Sequence, residues 1–184
     1  MRKLIAWNVM TLDGYFEGRE PWQLDMHGTV WGAELEEFSL SQGKEIGTLL
    51  FGRRTYEGMR DYWTKEEGPI ATMMNGIDKA VASRTLAVAD WNNSRLLKGE
   101  AAETVRALKQ ENGKDVFVFG SADLLAALMA EDLVDEYRLC LAPVVWGEGT
   151  PLFKSASGRT HFTLRESRPL KTGGLILFYK RKRP

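Results

Sequence analysis

Val116-Phe117-Val118-Phe119-Gly120-Ser121-Ala122-Asp123-Leu124-Leu125 is the stretch from which the fold reads most directly. Its first four residues are apolar and β-prone with no polar face between them, the pattern of a central strand covered on both sides. Gly120-Ser121 interrupts the strand at once. Leu124, Leu125, Leu128 and Met129 then mark the face of a helix.

Upstream of this unit, Ala101, Val105 and Leu108 fall at i, i+4, i+7 and predict an amphipathic helix that ends near Asn112-Gly113. Ser94 to Leu97 and Ala80-Val81-Ala82 are shorter strand candidates, and Thr48-Leu49-Leu50-Phe51 reads as a buried strand stopped by Gly52. Leu4 to Val9 reads as a strand running toward the Asp13-Gly14 turn signal. Pro21 to Thr29 reads as a loop. Trp31, Leu35, Phe38 and Ser39 then share one helix face, with Glu34, Glu36 and Glu37 around the others. Downstream, Tyr137 to Leu141 is a strand, and Phe162 to Glu166 and Leu175 to Tyr179 are two more joined through Gly173-Gly174. Strands alternate with helices and then follow one another directly. The order predicts a single α/β domain over 1–184: a mostly parallel twisted sheet, helices on both faces, and a C-terminal antiparallel hairpin.

Composition agrees with one domain, at 184 residues with 43% hydrophobic and 27% charged side chains. Lys plus Arg number 25 and Asp plus Glu number 25. So balanced a surface exerts no general pull on nucleic acid or anionic membrane, and neither is an expected partner. Any anion site must be local. Cys140 is the only cysteine, and His27 and His161, the only histidines, lie far apart, so no metal site is expected. The apolar stretch near Met1 is too short for a signal peptide or a spanning helix, which leads to a cytoplasmic expectation. Lys180-Arg181-Lys182-Arg183 reads as a solvated basic terminus.

Three segments would gather backbone amides and cations at one end of the sheet. In Gly120-Ser121-Ala122 a strand turns into a helix whose first amides lack internal partners and favour an anion, although Ser121 also suits an ordinary N-cap. In Gly52-Arg53-Arg54-Thr55, two arginines at a helix start oppose the dipole. A bound anion or nearby surface carboxylates would account for them. Ser83-Arg84-Thr85 is the third.

These segments occur in the same chain order as in dihydrofolate-reductase-like proteins. The strand Leu4-Ile5-Ala6, the turn Thr11-Leu12-Asp13-Gly14, Phe51-Gly52-Arg53-Arg54-Thr55-Tyr56-Glu57, Ser83-Arg84-Thr85 and Phe119-Gly120-Ser121 all resemble that superfamily. Leu133-Val134-Asp135-Glu136-Tyr137-Arg138-Leu139 and the run from Ala142-Pro143-Val144 through Gly149-Thr150-Pro151-Leu152-Phe153 are more specific. They resemble the reductase half of the bifunctional riboflavin-biosynthesis deaminase-reductases and its stand-alone relatives. No Cys-x-x-Cys or histidine–glutamate zinc motif is present, so deamination is not expected.

The resemblance implies NADPH as cofactor and reduction of a small nitrogen heterocycle, the nearest family activity being 5-amino-6-(5-phosphoribosylamino)uracil reduction. It assigns Gly52, Arg53, Arg54 and Thr55 to the 2′-phosphate and pyrophosphate, and Ser83 and Arg84 to further adenosine-side contacts. Gly120, Ser121 and Ala122, with Leu124 and Leu125 behind them, become the pyrophosphate turn; many relatives carry glycine where Ala122 stands. The turn Thr11-Leu12-Asp13-Gly14 is expected over the nicotinamide and substrate. Asn8, Thr11, Phe16 and Trp63 are expected near the substrate, with Asp13 as the catalytic candidate, binding the heterocycle or relaying a proton. Asp13 as a turn former and Trp63 as a packing residue are the alternatives. Dihydrofolate reduction is a second reading if Glu34 or Glu36 faces the pocket, and a non-catalytic NADPH-binding protein is a third. A homodimer is expected, because relatives pair through late strands and the run Leu175 to Tyr179 would otherwise leave an apolar edge.

Overall fold

The run Leu4-Ile5-Ala6 is wholly inaccessible to solvent, and the reason is its place in a wide sheet. The computed structural model describes residues 1–154 and 159–182. In chain order its elements are β1 (Leu4–Thr11), β2 (Tyr15–Glu17), α1 (Met26–Val30), α2 (Ala33–Gly43), β3 (Ile46–Gly52), α3 (Arg53–Trp63), α4 (Pro69–Gly76) and β4 (Asp78–Ala82). There follow β5 (Ser94–Leu97), α5 (Ala101–Gln110), β6 (Asp115–Phe119), α6 (Ala122–Ala130), β7 (Glu136–Ala142), β8 (Thr150–Pro151), β9 (Phe162–Pro169) and β10 (Leu175–Arg181). The main sheet has eight strands in the order β5-β4-β3-β6-β1-β7-β10-β9. Neighbours from β5 to β7 pair in parallel, and β10 pairs antiparallel with both β7 and β9. β2 and β8 form a separate two-stranded ladder.

Successive residues of a strand point to opposite faces, so each inner strand feeds two cores. Ile5, Leu49 and Phe51 join one cluster with Leu35, Phe38, Tyr56 and Met74 from α2, α3 and α4. Leu4, Ala6 and Leu50 join the other with Val105, Leu108, Leu125 and Leu128 from α5 and α6. This is the expected α/β arrangement, with helices on both faces.

Local expectations need correction in four places. Trp31 precedes α2 and is 47% exposed, because the extended Gly32 separates it from the helix; Leu35 and Phe38 carry the buried face. The second half of the Pro21–Thr29 loop belongs to α1, whose Met26 and Val30 are buried one turn apart. α4 and the short β2–β8 ladder have no counterpart in the sequence reading. β10 is not an edge, since β9 covers it; the edge is β9, whose residues beyond Phe162 are exposed. The apolar run Leu175 to Tyr179 therefore supplies no reason for a dimer. Arg183 of the basic run lies outside the described residues. No helix among the described residues is long and apolar enough to cross a membrane.

The motif Leu133-Val134-Asp135 has a structural role at the opposite end of the sheet from the strand-to-helix turns. Lys109 Nζ, at the end of α5, donates to an Asp135 carboxylate oxygen at 2.6 Å and to the Leu133 carbonyl at 2.8 Å. The same Asp135 oxygen accepts the Leu4 amide at 2.8 Å. Lys109 is 4% exposed, so removing either charge strands the other in a poorly solvated place. Lys109→Ala is expected to cost about 3 kcal/mol of stability, read as a lower urea midpoint at pH 7 with an unchanged slope.

Candidate active site

Because β1, β3, β4 and β6 run parallel, their C-terminal ends all meet at one edge of the sheet, where the chain turns into the helices. β3 passes directly into α3 and β6 into α6, and neither helix has a side-chain N-cap hydrogen bond. The two turns touch. A Cβ added to Gly52 would lie 2.3 Å from Ser121 Oγ, so the position tolerates no side chain without displacing Ser121. Gly120 and Ser121 are both left-handed, at φ +62° and +61°, and a Cβ on Gly120 would sit 3.2 Å from the Thr55 methyl. Left-handed backbone costs a non-glycine residue roughly 1 kcal/mol or more, so the strain at Ser121 is held by its surroundings. Ser121 is therefore not the ordinary N-cap that a Gly-Ser turn suggests.

Two hollows meet across this junction. The first, of about 420 Å³, runs along Asn8, Phe16, Thr55, Gly120 and Ala122 to the indole of Trp22. The second, of about 370 Å³, lies among Gly52, Arg53, Ser83, Arg84 and Leu124. Arg54, Ser121 and Asp123 line both, so the hollows form one elongated groove across the ends of the strands. Asn8 Oδ1 accepts the Gly120 amide at 2.8 Å, which orients the side-chain amide, and its buried Nδ2 is left without a partner.

The far wall is built by Glu17 and Trp22. Glu17 Oε1 accepts the Trp22 amide at 2.8 Å, and the Gly18 amide donates to the Gln23 carbonyl at 2.9 Å, closing the loop. Trp22 is held at φ +69°, and its ring lies so near Gly58 that a Cβ there would be 2.5 Å from it. His27 also lines this hollow. Desolvation lowers its pKa below the usual histidine value. Its surface stays open to the hollow, which limits the effect, but the direction leaves a neutral ring at pH 7.

Comparison with known proteins places this architecture. Residues 2–176 match the family of the RibD C-terminal domain. The chain belongs to that family. It is 30% identical over 185 residues to the uncharacterized protein YyaP of Bacillus subtilis (strain 168), covering 97% of this chain and 94% of YyaP. The crystal structure of a Shewanella sp. PV-4 protein named for riboflavin biosynthesis superposes with a TM-score of 0.81 at 21% identity, over 98% of this chain and 99% of that one. Dihydrofolate reductase from Enterococcus faecalis, complexed with NADP(H), superposes with a TM-score of 0.66 at 16% identity, over 98% and 97% of the two chains. The fold is the dihydrofolate-reductase-like one.

In this RibD C-terminal domain the tertiary structure gathers most residues singled out from sequence. Gly52, Arg53, Arg54, Thr55, Ser83, Arg84, Gly120, Ser121, Ala122 and Leu124 line the groove, as do Asn8 and Phe16. Leu125 is wholly buried behind them. Five positions stand elsewhere. Trp63 is outside the groove, donating its indole N–H to the Met59 sulfur at 3.3 Å and packing against Tyr62. Its position is that of a packing residue. Glu34 accepts the Lys171 amide at 2.7 Å near the C-terminal hairpin, and Glu36 is likewise absent from the groove lining. Thr11 is fully buried beneath the turn, donating to Asp13 at 2.6 Å and accepting the Tyr15 amide at 2.9 Å.

Asp13 is held by the same turn and faces another loop. One carboxylate oxygen accepts the Thr11 hydroxyl and the Trp146 amide, the latter at 3.3 Å, and the other accepts the Gly147 amide at 2.7 Å. It does not line the groove, and this geometry fits the turn-forming alternative. Sequence reasoning passed over Glu17 and His27, which carried no motif of their own, and Gly58 and Met59, whose signal was only their place in the second turn of α3.

The Thr11 hydroxyl, foremost, and then the loop amides hold the Asp13 pKa below 3.8. A carboxylate with a lowered folded pKa contributes above its unfolded value and loses that contribution as pH falls through the folded one. Exchange protection of the Gly147 amide is therefore expected to hold at pH 5, collapse only as pH drops below about 4, and be weak at pH 5 in Asp13→Asn. Hydrogen exchange monitored by mass spectrometry over the loop 143–149 reads this out.

Proposed function

We propose that this chain binds NADPH along the groove and reduces a small nitrogen heterocycle, the nearest family activity being 5-amino-6-(5-phosphoribosylamino)uracil reduction. One observation carries the reading: two uncapped helix starts, α3 and α6, meet through Gly52 and Ser121 with Arg53, Arg54 and Arg84 around them. Free amides and dipoles of this kind favour phosphate oxygens. The partnerless Asn8 Nδ2 adds a buried donor that suits a carbonyl-type acceptor at the other end of the groove.

When bound, NADPH supplies a hydride. The chain's own residues position and enclose. Arg53, Arg54 and Arg84 would meet the 2′-phosphate and pyrophosphate, while Gly120, Ser121 and Ala122 present the α6 amides. Phe16, Met59 and Trp22 wall the first hollow and keep water from a ring lying there. Asp13 has its carboxylate engaged, so its contribution is to hold the turn Thr11-Leu12-Asp13-Gly14 against the 143–149 loop. Dihydrofolate reduction required Glu34 or Glu36 in the pocket, and neither lines it. Turnover of a ring substrate separates the reductase from a protein that only binds the cofactor. The reading also keeps a cytoplasmic homodimer, with β9 rather than β10 as the available edge; light scattering at about 50 µM is expected to give twice the chain mass.

NADPH and NADH differ by the 2′-phosphate. A hydrogen bond to a charged group contributes about 1.5–3 kcal/mol net, and about 1.4 kcal/mol is tenfold in affinity. Two such contacts are expected to favour NADPH by roughly a hundredfold, less the screening at an open site. Arg53→Ala or Arg54→Ala should shrink that ratio and leave NADH binding nearly unchanged. Titration calorimetry with both cofactors decides it: equal affinities in the wild type would remove these arginines from the site, and binding of neither would end the reductase reading.

A further inference from the structure

Each groove cation already has a carboxylate. Among the described residues, Arg53 pairs with Glu57 at 3.2 Å, Arg54 with Glu17 at 3.8 Å, Arg84 with Glu100 at 3.8 Å, and Lys154 with Asp123. A ligand phosphate therefore enters a groove that has neutralised itself, and must take each cation from a resident acid. Three of those acids can swing into solvent, with side chains 35%, 73% and 80% exposed for Glu57, Glu100 and Asp123. Glu17 cannot. Its side chain is 14% exposed, and its other oxygen is engaged by the Trp22 amide at 2.8 Å. Arg54 and Gly58 lie one turn apart on α3, so Glu17 and the Trp22 ring lean on the same helix face at successive points.

We infer that Glu17 is a positioning residue that links the two ends of the groove: it competes with a ligand phosphate for Arg54, and on losing Arg54 it grips the Trp22 amide more tightly. The inference rests on the NADPH reading above. A half-buried carboxylate deprived of its cation has few ways to recover solvation, and its strongest remaining donor here is the Trp22 N–H. Occupancy of the phosphate end thus stiffens the wall of the ring-binding end. Coupling of this kind is reciprocal, so a ring seated against Trp22 strengthens phosphate binding in return.

The test uses NADPH titrated by calorimetry at low salt into wild type and Glu17→Gln, with hydrogen exchange over residues 18–24 in the presence and absence of NADPH. Glutamine keeps an acceptor for Trp22 but not the charge. Partly exposed ion pairs are worth about 0.2–1 kcal/mol, so Glu17→Gln is expected to bind NADPH about 1.4- to fivefold tighter. That gain should shrink at high salt and vanish when Arg54→Ala is added. In wild type, NADPH should raise protection of the Trp22 amide; in Glu17→Gln it should not. Unchanged or weaker NADPH binding by a folded Glu17→Gln protein overturns the inference. If that variant does not fold, wild-type exchange decides alone, and protection unchanged by NADPH overturns it. A wild type that fails to bind NADPH at all is a different result, and overturns the function reading itself.

Discussion

The contact between the turn after β3 and the turn after β6 is the constraint on which the rest of the site depends. The two strands are neighbours and parallel, so their C-terminal ends reach the same edge of the sheet side by side. Each passes into a helix with almost no intervening loop, which leaves no room for a side chain at Gly52 opposite Ser121. Crowding there and the Asn8 hydrogen bond to the Gly120 amide together account for a left-handed pair at Gly120-Ser121. The same crowding brings two helix starts into one groove, a concentration of unsatisfied amides that neither helix creates alone.

Electrostatics at the groove mirror the balanced composition at close range. The arginines that oppose the α3 dipole are neither free nor deeply committed: each has one carboxylate partner, at 3.2 Å or more. Partly exposed pairs of this sort cost little to exchange, so they hold the cations near the groove while leaving them available to a better-charged ligand. Under the proposed function, pairing with a neighbouring acid and meeting a ligand phosphate would be successive states of the same arginine side chains.

The loops around the groove are held by a different logic. Asp13 ties the turn after β1 to the 143–149 loop, and Glu17 ties β2 to Trp22 and to α3. Both carboxylates fix backbone amides rather than projecting into open space. A short acidic motif near a binding cleft is for that reason poor evidence of catalysis by itself, since a turn needs the same residue type. His27 and Met59 reach the same hollow because α1 packs on β1 and α3 on β3, two strands of one sheet.

Periodicity and turn residues in the sequence by themselves determined the α/β class, the eight strands of the main sheet and the strand-to-helix turns at Gly52 and Gly120. These are local properties: an apolar run bounded by glycine, or an i, i+4, i+7 stripe, is interpretable without knowing its neighbours. The groove residues at Gly52–Thr55, Ser83-Arg84 and Gly120–Ala122 were singled out through short motifs that resemble a known family, and not through periodicity. What only the tertiary structure decided was every property that depends on a distant partner. That Asp13 faces Gly147, that Glu34 meets Lys171, and that Trp22 rests on Gly58 are pairings across long sequence separations. No local pattern encodes them, because the side chain is the same whichever neighbour the packed sheet brings to it.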